Sequence, residues 1–508
     1  MLRPALILFA ASLISSLTSA QNATTDQSLS GTHSIGDAIR AQNAAPQSAA
    51  NPAAHIRIRG LTSLAIQTST PPIHILYVHG INQVGPNDSA MLRKAICRYV
   101  GECTVNRLER IYAEGPFALN NPPPPFAYLG RRIWNTPEDW SASAPFIDRY
   151  EISGGSHMSI LLDELNWWPI VYPFKCKALI APDAHLTGPS KTQIDICNAS
   201  TGGTQPDPAH PGRFLEYQWM PDAEATALLH LHRHATFINR SLKNSLMDWG
   251  FGDAVLALGP LQQILTSAIR ELLIQSLQTS GIDPATARPN DAGPEFFFIT
   301  HSLGSYLSLA ALDPDSPAAN QLAGPSAAAS LPQFALSPDQ KTAAAYFSAH
   351  TAGFYFLANQ IELLELAHLT IEQQPPAPCP VAIPSASDTA PAPTAQSTPP
   401  TTSASSATTP AAVSISSWQC RRQMYLDQRN QQQHGPNLLG PQIVSWSDPD
   451  DLLSWNVPQI PPVRVVNLHV HNRAFKIPPI IVSPVGAHAN YAENPKVLRV
   501  IFKPTPSS

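Results

Sequence analysis

Apolar residues along the chain gather in short, dense runs separated by long polar stretches. Ile73–Val78 and Phe296–Ile299 are each of strand length and almost unbroken in apolar character, which predicts strands of a parallel sheet covered on both faces, and Gln442–Trp446 is a further strand candidate. Val463–Val470 and the first part of Met158–Trp168 read as further strands, and Ile56–Ile66 as a peripheral one. Between them Tyr306–Leu312, Ala223–Leu246, Gly250–Gln278 and Glu493–Ile501 read as helices. The Gly250–Gln278 segment is expected to pack as a helix ahead of the Phe296 strand. The pattern is that of an α/β protein.

Two stretches break the pattern. Residues 21–70 are small and polar, forming an N-terminal extension, and residues 374–416 are almost pure Pro, Ala, Thr and Ser with Asp388 as the only charge. Ten of the 52 prolines lie in the second stretch. A segment of that composition buries too little apolar surface to offset its backbone entropy, so it is expected to be a disordered spacer loop. The remaining sequence fits one large domain in two parts, 71–373 and 417–508, with a cap-like insertion at about 104–240. Hydrophobic residues make up 43 % of the chain, enough for a substantial core. A net charge of −5 argues against binding nucleic acid through its phosphates.

Residues 1–20 carry Arg3, then a short apolar stretch, then Thr18-Ser19-Ala20, the layout of a signal peptide cleaved after Ala20. That stretch is too short for a permanent membrane span, and no other run is long enough, so a secreted or periplasmic protein is expected. Six cysteines suit such a compartment, and neighbour pairing gives Cys97–Cys103, Cys176–Cys197 and Cys379–Cys420.

The candidate chemistry starts at the Phe296 strand. It runs into Thr300-His301-Ser302-Leu303-Gly304-Ser305 and then into a helix. A strand, a tight turn with a central serine and a helix is the layout of a nucleophile elbow, with the serine Oγ exposed at the apex. Thr300 stands where the usual pattern has its first glycine. Upstream, the Ile73 strand ends in His79-Gly80-Ile81. Glycine there lets the backbone approach a substrate carbonyl, so the expected oxyanion donors are the amides of Leu303 and of Gly80 or Ile81. Downstream, the Gln442 strand enters Ser447-Asp448-Pro449-Asp450-Asp451, an acidic turn. Asp451 is the preferred carboxylate to orient a histidine and Asp448 the second choice, with helix capping the alternative role for Asp448 and Asp450. His488, in a glycine-containing loop before the last helix, is placed to be the general base. Ser302, Asp451, His488 is the chain order found in α/β-hydrolases.

These residues resemble the α/β-hydrolase superfamily, in particular its lipase- and esterase-like members, over roughly Ile73 to Ile501. The resemblance implies an α/β-hydrolase fold, with a mostly parallel central sheet and helices on both faces. It also implies Ser302 as nucleophile, His488 as base and Asp451 as orienting acid, with no cofactor. The expected substrate is a small-molecule or lipid carboxylic ester. An amidase, peptidase or thioesterase would use the same residues, and an inactive hydrolase fold used for binding is the alternative outside enzymes.

Other features admit milder readings. Trp167-Trp168 suits either a pocket wall or the core, and Trp249–Asp253 reads as a structural turn. His230, His232 and His234 do not share one helical face, so no metal site is expected there. Asn22, Asn87, Asn198 and Asn239 head glycosylation sequons.

Overall fold

A computed structural model of the chain describes residue 61 and residues 73–81, 87–100, 103–128, 131–154, 159–175, 250–259, 261–291, 293–313, 331–365, 418, 420–428, 442–457, 464–472 and 484–502. All of these fall in the unit Arg57–Ser508. The first half of the fold comprises β1 (Ile73–Val78), α1 (Ala90–Val100), β2 (Cys103–Tyr112), β3 (Ala127–Tyr128), β4 (Arg131–Arg132), α2 (Pro137–Ala142), β5 (Phe146–Gly154), β6 (Ser159–Asn166) and α3 (Trp168–Phe174). Next come α4 (Gly252–Leu258), α5 (Gln262–Thr279), β7 (Phe296–His301), α6 (Leu303–Leu312), α7 (Pro338–His350), β8 (Thr351–Leu357) and α8 (Ile361–Glu365). The chain closes with β9 (Gln442–Ser447), β10 (Arg464–His469), α9 (Pro484–Ala489) and α10 (Pro495–Phe502).

Eight strands form one sheet in the order β10-β9-β8-β7-β1-β6-β5-β2, and β3 and β4 pair by themselves. From β10 to β6 every neighbouring pair is parallel, whereas β5 runs antiparallel to both β6 and β2. Strand alternation divides the apolar runs between two cores. Leu76 and Val78 of β1, Phe296 and Phe298 of β7, and Phe354 and Phe356 of β8 pack with residues of α5, α6 and α7. Ile73, Ile75 and Tyr77, then Phe297 and Ile299, then Tyr355 and Leu357 pack on the other side with α1 and α10. Both faces of the sheet are therefore covered, which is why its central strands carry few polar positions.

Several expectations need correction. Residues 103–166 are not part of a cap: they supply β2, β5 and β6, three strands of the main sheet. Strand β2 was hard to see because it is an edge strand whose residues 104–109 are exposed and polar-rich. Leu61, the one described residue within Ile56–Ile66, is helical and buried, not part of a strand. The Gly250–Gln278 segment is two helices, α4 and α5, interrupted where Gly259 precedes Pro260, because a residue before proline is driven out of the helical region. Gly252 and Asp253 open α4 and so belong to a helix, not a turn.

Cys97 and Cys103 form a disulfide with Cα atoms 5.3 Å apart, joining the end of α1 to the start of β2. Cys420 is also disulfide-bonded. Cys176, Cys197, Cys379, the three histidines at 230, 232 and 234, the spacer 374–416 and residues 1–20 lie outside the described residues, as do the Ala223–Leu246 helix and the sequon asparagines 22, 198 and 239. No helix among the described residues is long and apolar enough to cross a membrane.

Candidate active site

The residues singled out by sequence meet at the carboxyl ends of β1, β7 and β9, the edge of a parallel sheet where ligands usually bind. Ser302 occupies the one-residue turn between β7 and α6, with φ 52° and ψ −124°. That backbone region is strained for a residue with a side chain, by about 1–3 kcal/mol, and persists only where surrounding bonds enforce it. Here the Ser302 amide donates to the Leu357 carbonyl at 2.8 Å, and the Ser305 amide donates to the Ser302 carbonyl at 3.1 Å.

Small residues make the turn possible. A methyl group on Gly304 would meet the carbonyl oxygens of Val78 and His79, so α6 approaches β1 as closely as backbone allows. Thr300, in the place of the usual glycine, is fully buried, and its hydroxyl lies 2.8 Å from that of Ser305. A β-branched residue fits the end of a strand, and its one polar atom finds a partner across the turn. Contrary to expectation, Ser302 is buried rather than exposed (0 % accessible), because Gly80 and His488 pack over it.

His488 bridges Ser302 and Asp451. Its Nε2 lies 3.0 Å from Ser302 Oγ, and its Nδ1 lies 3.0 Å from each carboxylate oxygen of Asp451. With the proton on Nδ1 donated to Asp451, Nε2 is free to accept from the serine hydroxyl. His488 sits in the last turn of the short helix α9, not in a loop, and only the short 3-10 turn Asn490–Glu493 separates it from α10. Asp451 also accepts from the Leu453 amide at 2.9 Å and the Tyr491 hydroxyl at 3.1 Å. Burial alone would raise its pKa, but His488, the Leu453 amide and Tyr491 together hold the carboxylate below its usual range.

Asp448 does something different. Its oxygens accept from the amides of Asp450 and Asn472, so it fastens the turn. Ligand atoms of Asp448, Asp450 and His471 lie within 4.8 Å of one another, but those two amides already use the Asp448 carboxylate, and His471 is exposed.

The Leu303 amide is the first of α6 and points from a helix N-terminus, where partial positive charge gathers. Gly80 lies against the serine: a Cβ there would sit 2.6 Å from Ser302 Cβ and 2.8 Å from His301 Nδ1. Ile81 follows, its side chain packed on the core. Behind this corner His79 stacks on Trp167 at 4.6 Å and 15°, and the Trp167 indole donates to the His79 carbonyl at 3.1 Å. Trp167 and Trp168 are thus core residues supporting the loop.

The buried Glu164, at the end of β6, accepts from the amides of Asn87 and Asp88 at 2.9 and 2.8 Å, from the Ser89 hydroxyl and from Arg93. It therefore caps the start of α1 from another element. Asn87, exposed and with φ 85°, turns the chain there.

Tyr491 and Asn472 went unassigned in the sequence. The spacing of Tyr491, three residues beyond His488, is the signal that places both on one side of a helical turn. Compared with known protein families, curated proteins and solved structures, the chain shows no match.

Proposed function

We propose that this chain is an exported serine hydrolase of the α/β-hydrolase fold that cleaves carboxylic esters, lipase- or esterase-like in character. The observation that carries the reading is the Ser302–His488–Asp451 relay at 3.0 Å per step, built on a serine held at positive φ between a strand and a helix. Strain of that kind persists where it serves a site, and a buried serine, a half-buried histidine and a buried carboxylate in series form the constellation of acyl transfer.

In this reading Ser302 Oγ attacks the ester carbonyl while His488 Nε2 takes its proton. Asp451 accepts the Nδ1 proton in a hydrogen bond and stabilises the imidazolium that forms. The developing oxyanion is met by the amides of Leu303 and of Gly80 or Ile81. His488 then gives its proton to the departing alkoxide, leaving an acyl-Ser302, and activates the water that releases the acid. Export rests on the signal-like residues 1–20 and on the cysteine usage, the Cys97–Cys103 disulfide included.

The test is hydrolysis of p-nitrophenyl esters of increasing acyl length by the full chain, beside thioester and anilide analogues. Turnover of esters above the other two supports the reading. Preference for the anilide or thioester would move the chain to an amidase or thioesterase, and no turnover with any would favour a binding protein.

A further inference from the structure

The base sits on an unusually small support. Helix α9 has six residues, and the carbonyls of a helix's last turn lack partners within the helix. Two of these are taken up by side chains from elsewhere. The Ala487 carbonyl accepts from Asn472 Nδ2 at 3.0 Å, and the His488 carbonyl accepts from His301 Nε2 at 2.9 Å. Asn472 is in turn held by Asp448 and Asn494.

His301 directly precedes Ser302, and its ring centroid lies 5.0 Å from that of His488. Its Nδ1 faces Gly80, where a Cβ would come within 2.8 Å of it. One imidazole therefore touches the turn that carries the serine, the glycine of the oxyanion corner and the backbone of the base.

We propose that His301 is a positioning residue that sets where His488 stands relative to Ser302, through the bond from its Nε2 to the His488 carbonyl. The inference rests on the serine-hydrolase reading above. Burial chiefly, and then the charge of His488, push the His301 pKa down to about 4. His301 thus stays neutral when His488 gains the serine proton, and its Nε2 remains a donor without placing a second positive charge beside the imidazolium.

The experiment compares wild type, His301→Leu and His301→Gln as full chains on a soluble p-nitrophenyl ester, with folding checked by circular dichroism. Loss of the donor in His301→Leu is expected to lower kcat by about 100-fold while KM changes by less than about threefold. A mere loss of folded protein would lower kcat in proportion to the active sites titrated by a fluorophosphonate probe, whereas a misplaced His488 lowers the turnover of each titrated site. His301→Gln, which keeps an N–H at similar reach, should recover most of kcat. Should the leucine variant fail to fold, His301→Met carries the same comparison. Unchanged kcat in the donor-less variant, or a glutamine variant as impaired as the leucine, overturns the positioning role. Absence of ester turnover in wild type itself would instead overturn the serine-hydrolase reading.

Discussion

The hydroxyls of Thr300 and Ser305 lie 2.8 Å apart on either side of the turn that carries Ser302, both residues fully buried. The bond ties the last residues of β7 to the first turn of α6, across a junction whose central φ of 52° is strained. Replacing Thr300 with valine keeps shape and volume but leaves the Ser305 hydroxyl without that partner. Thr300→Val is expected to lower stability by about 1–3 kcal/mol, read as a shift of the urea midpoint at constant slope. A midpoint unchanged from wild type would show that the pair does not hold the turn.

Gly80 has no room for a side chain. A methyl group would meet Ser302 Cβ at 2.6 Å, His301 Nδ1 at 2.8 Å and the His301 carbonyl at 2.9 Å. The backbone at Gly80, the proposed oxyanion corner, must therefore withdraw in Gly80→Ala. With the donors displaced, kcat should fall by about 100-fold or more on a short ester. Steady-state kinetics on the purified variant checks this, and kcat within twofold of wild type would contradict it.

Asp451 and Asp448 are three residues apart yet differently employed, one on the His488 imidazole and the other on backbone amides. Asp451→Asn should lower kcat by about four orders of magnitude, because the amide no longer favours the required tautomer. Asp448→Asn should lower it far less, by about tenfold, through loosening of Asn472. The reverse ranking in kcat would transfer the orienting role to Asp448.

His79 should make stability depend on pH. His79 donates from Nδ1 to the Gly80 carbonyl at 2.9 Å and accepts the Trp167 amide at Nε2, an arrangement only the neutral ring satisfies. Burial chiefly pushes its pKa down to about 3, and burial likewise takes His74 and His301 to about 4. All three lie below the unfolded value of about 6.5, so the unfolded chain binds more protons. Their contribution is present above pH ~6.5 and is lost as pH falls toward 4 and below. Glu164, pushed up to about 7 mainly by burial, acts in the opposite sense between pH ~4.3 and about 7, and Glu271 and Glu362, also raised by burial, act with it, so the contribution of His79 is read by difference against a variant. Relative to wild type, His79→Gln should lower the slope of the urea unfolding free energy against pH by about 1.4 kcal/mol per pH unit between pH ~6 and 4. An unaltered slope would mean that His79 titrates normally in the folded protein.

How far the fold was legible in sequence follows from where its residues lie. Strands β1 and β7 are covered on both faces and stood out as nearly unbroken apolar runs, whereas β9, with Gln442 and Ser445 among its apolar residues, gave a weaker signal. Strand β8 is just as buried but follows α7 with no glycine or proline between, His350 passing directly to Thr351, so nothing punctuates the change of period. Edge strand β2 lacks the apolar signal altogether. In the site, Ser302, Asp451 and His488 were legible because each follows a recognisable strand or precedes a helix. The roles of His301, Asn472 and Tyr491 were not, since each is defined by a contact between segments far apart in sequence or by a turn of helix too short to show periodicity.

The central claim is that Ser302 is a nucleophile activated by His488. The most direct measurement is mass-spectrometric mapping of the adduct formed when the folded full chain reacts with a fluorophosphonate probe, beside Ser302→Ala and His488→Ala. The account predicts one phosphonylated peptide, containing Ser302, lost in Ser302→Ala and formed at least about 100-fold more slowly in His488→Ala. Labelling at another residue, or an unmodified Ser302 in folded wild-type protein, would contradict it.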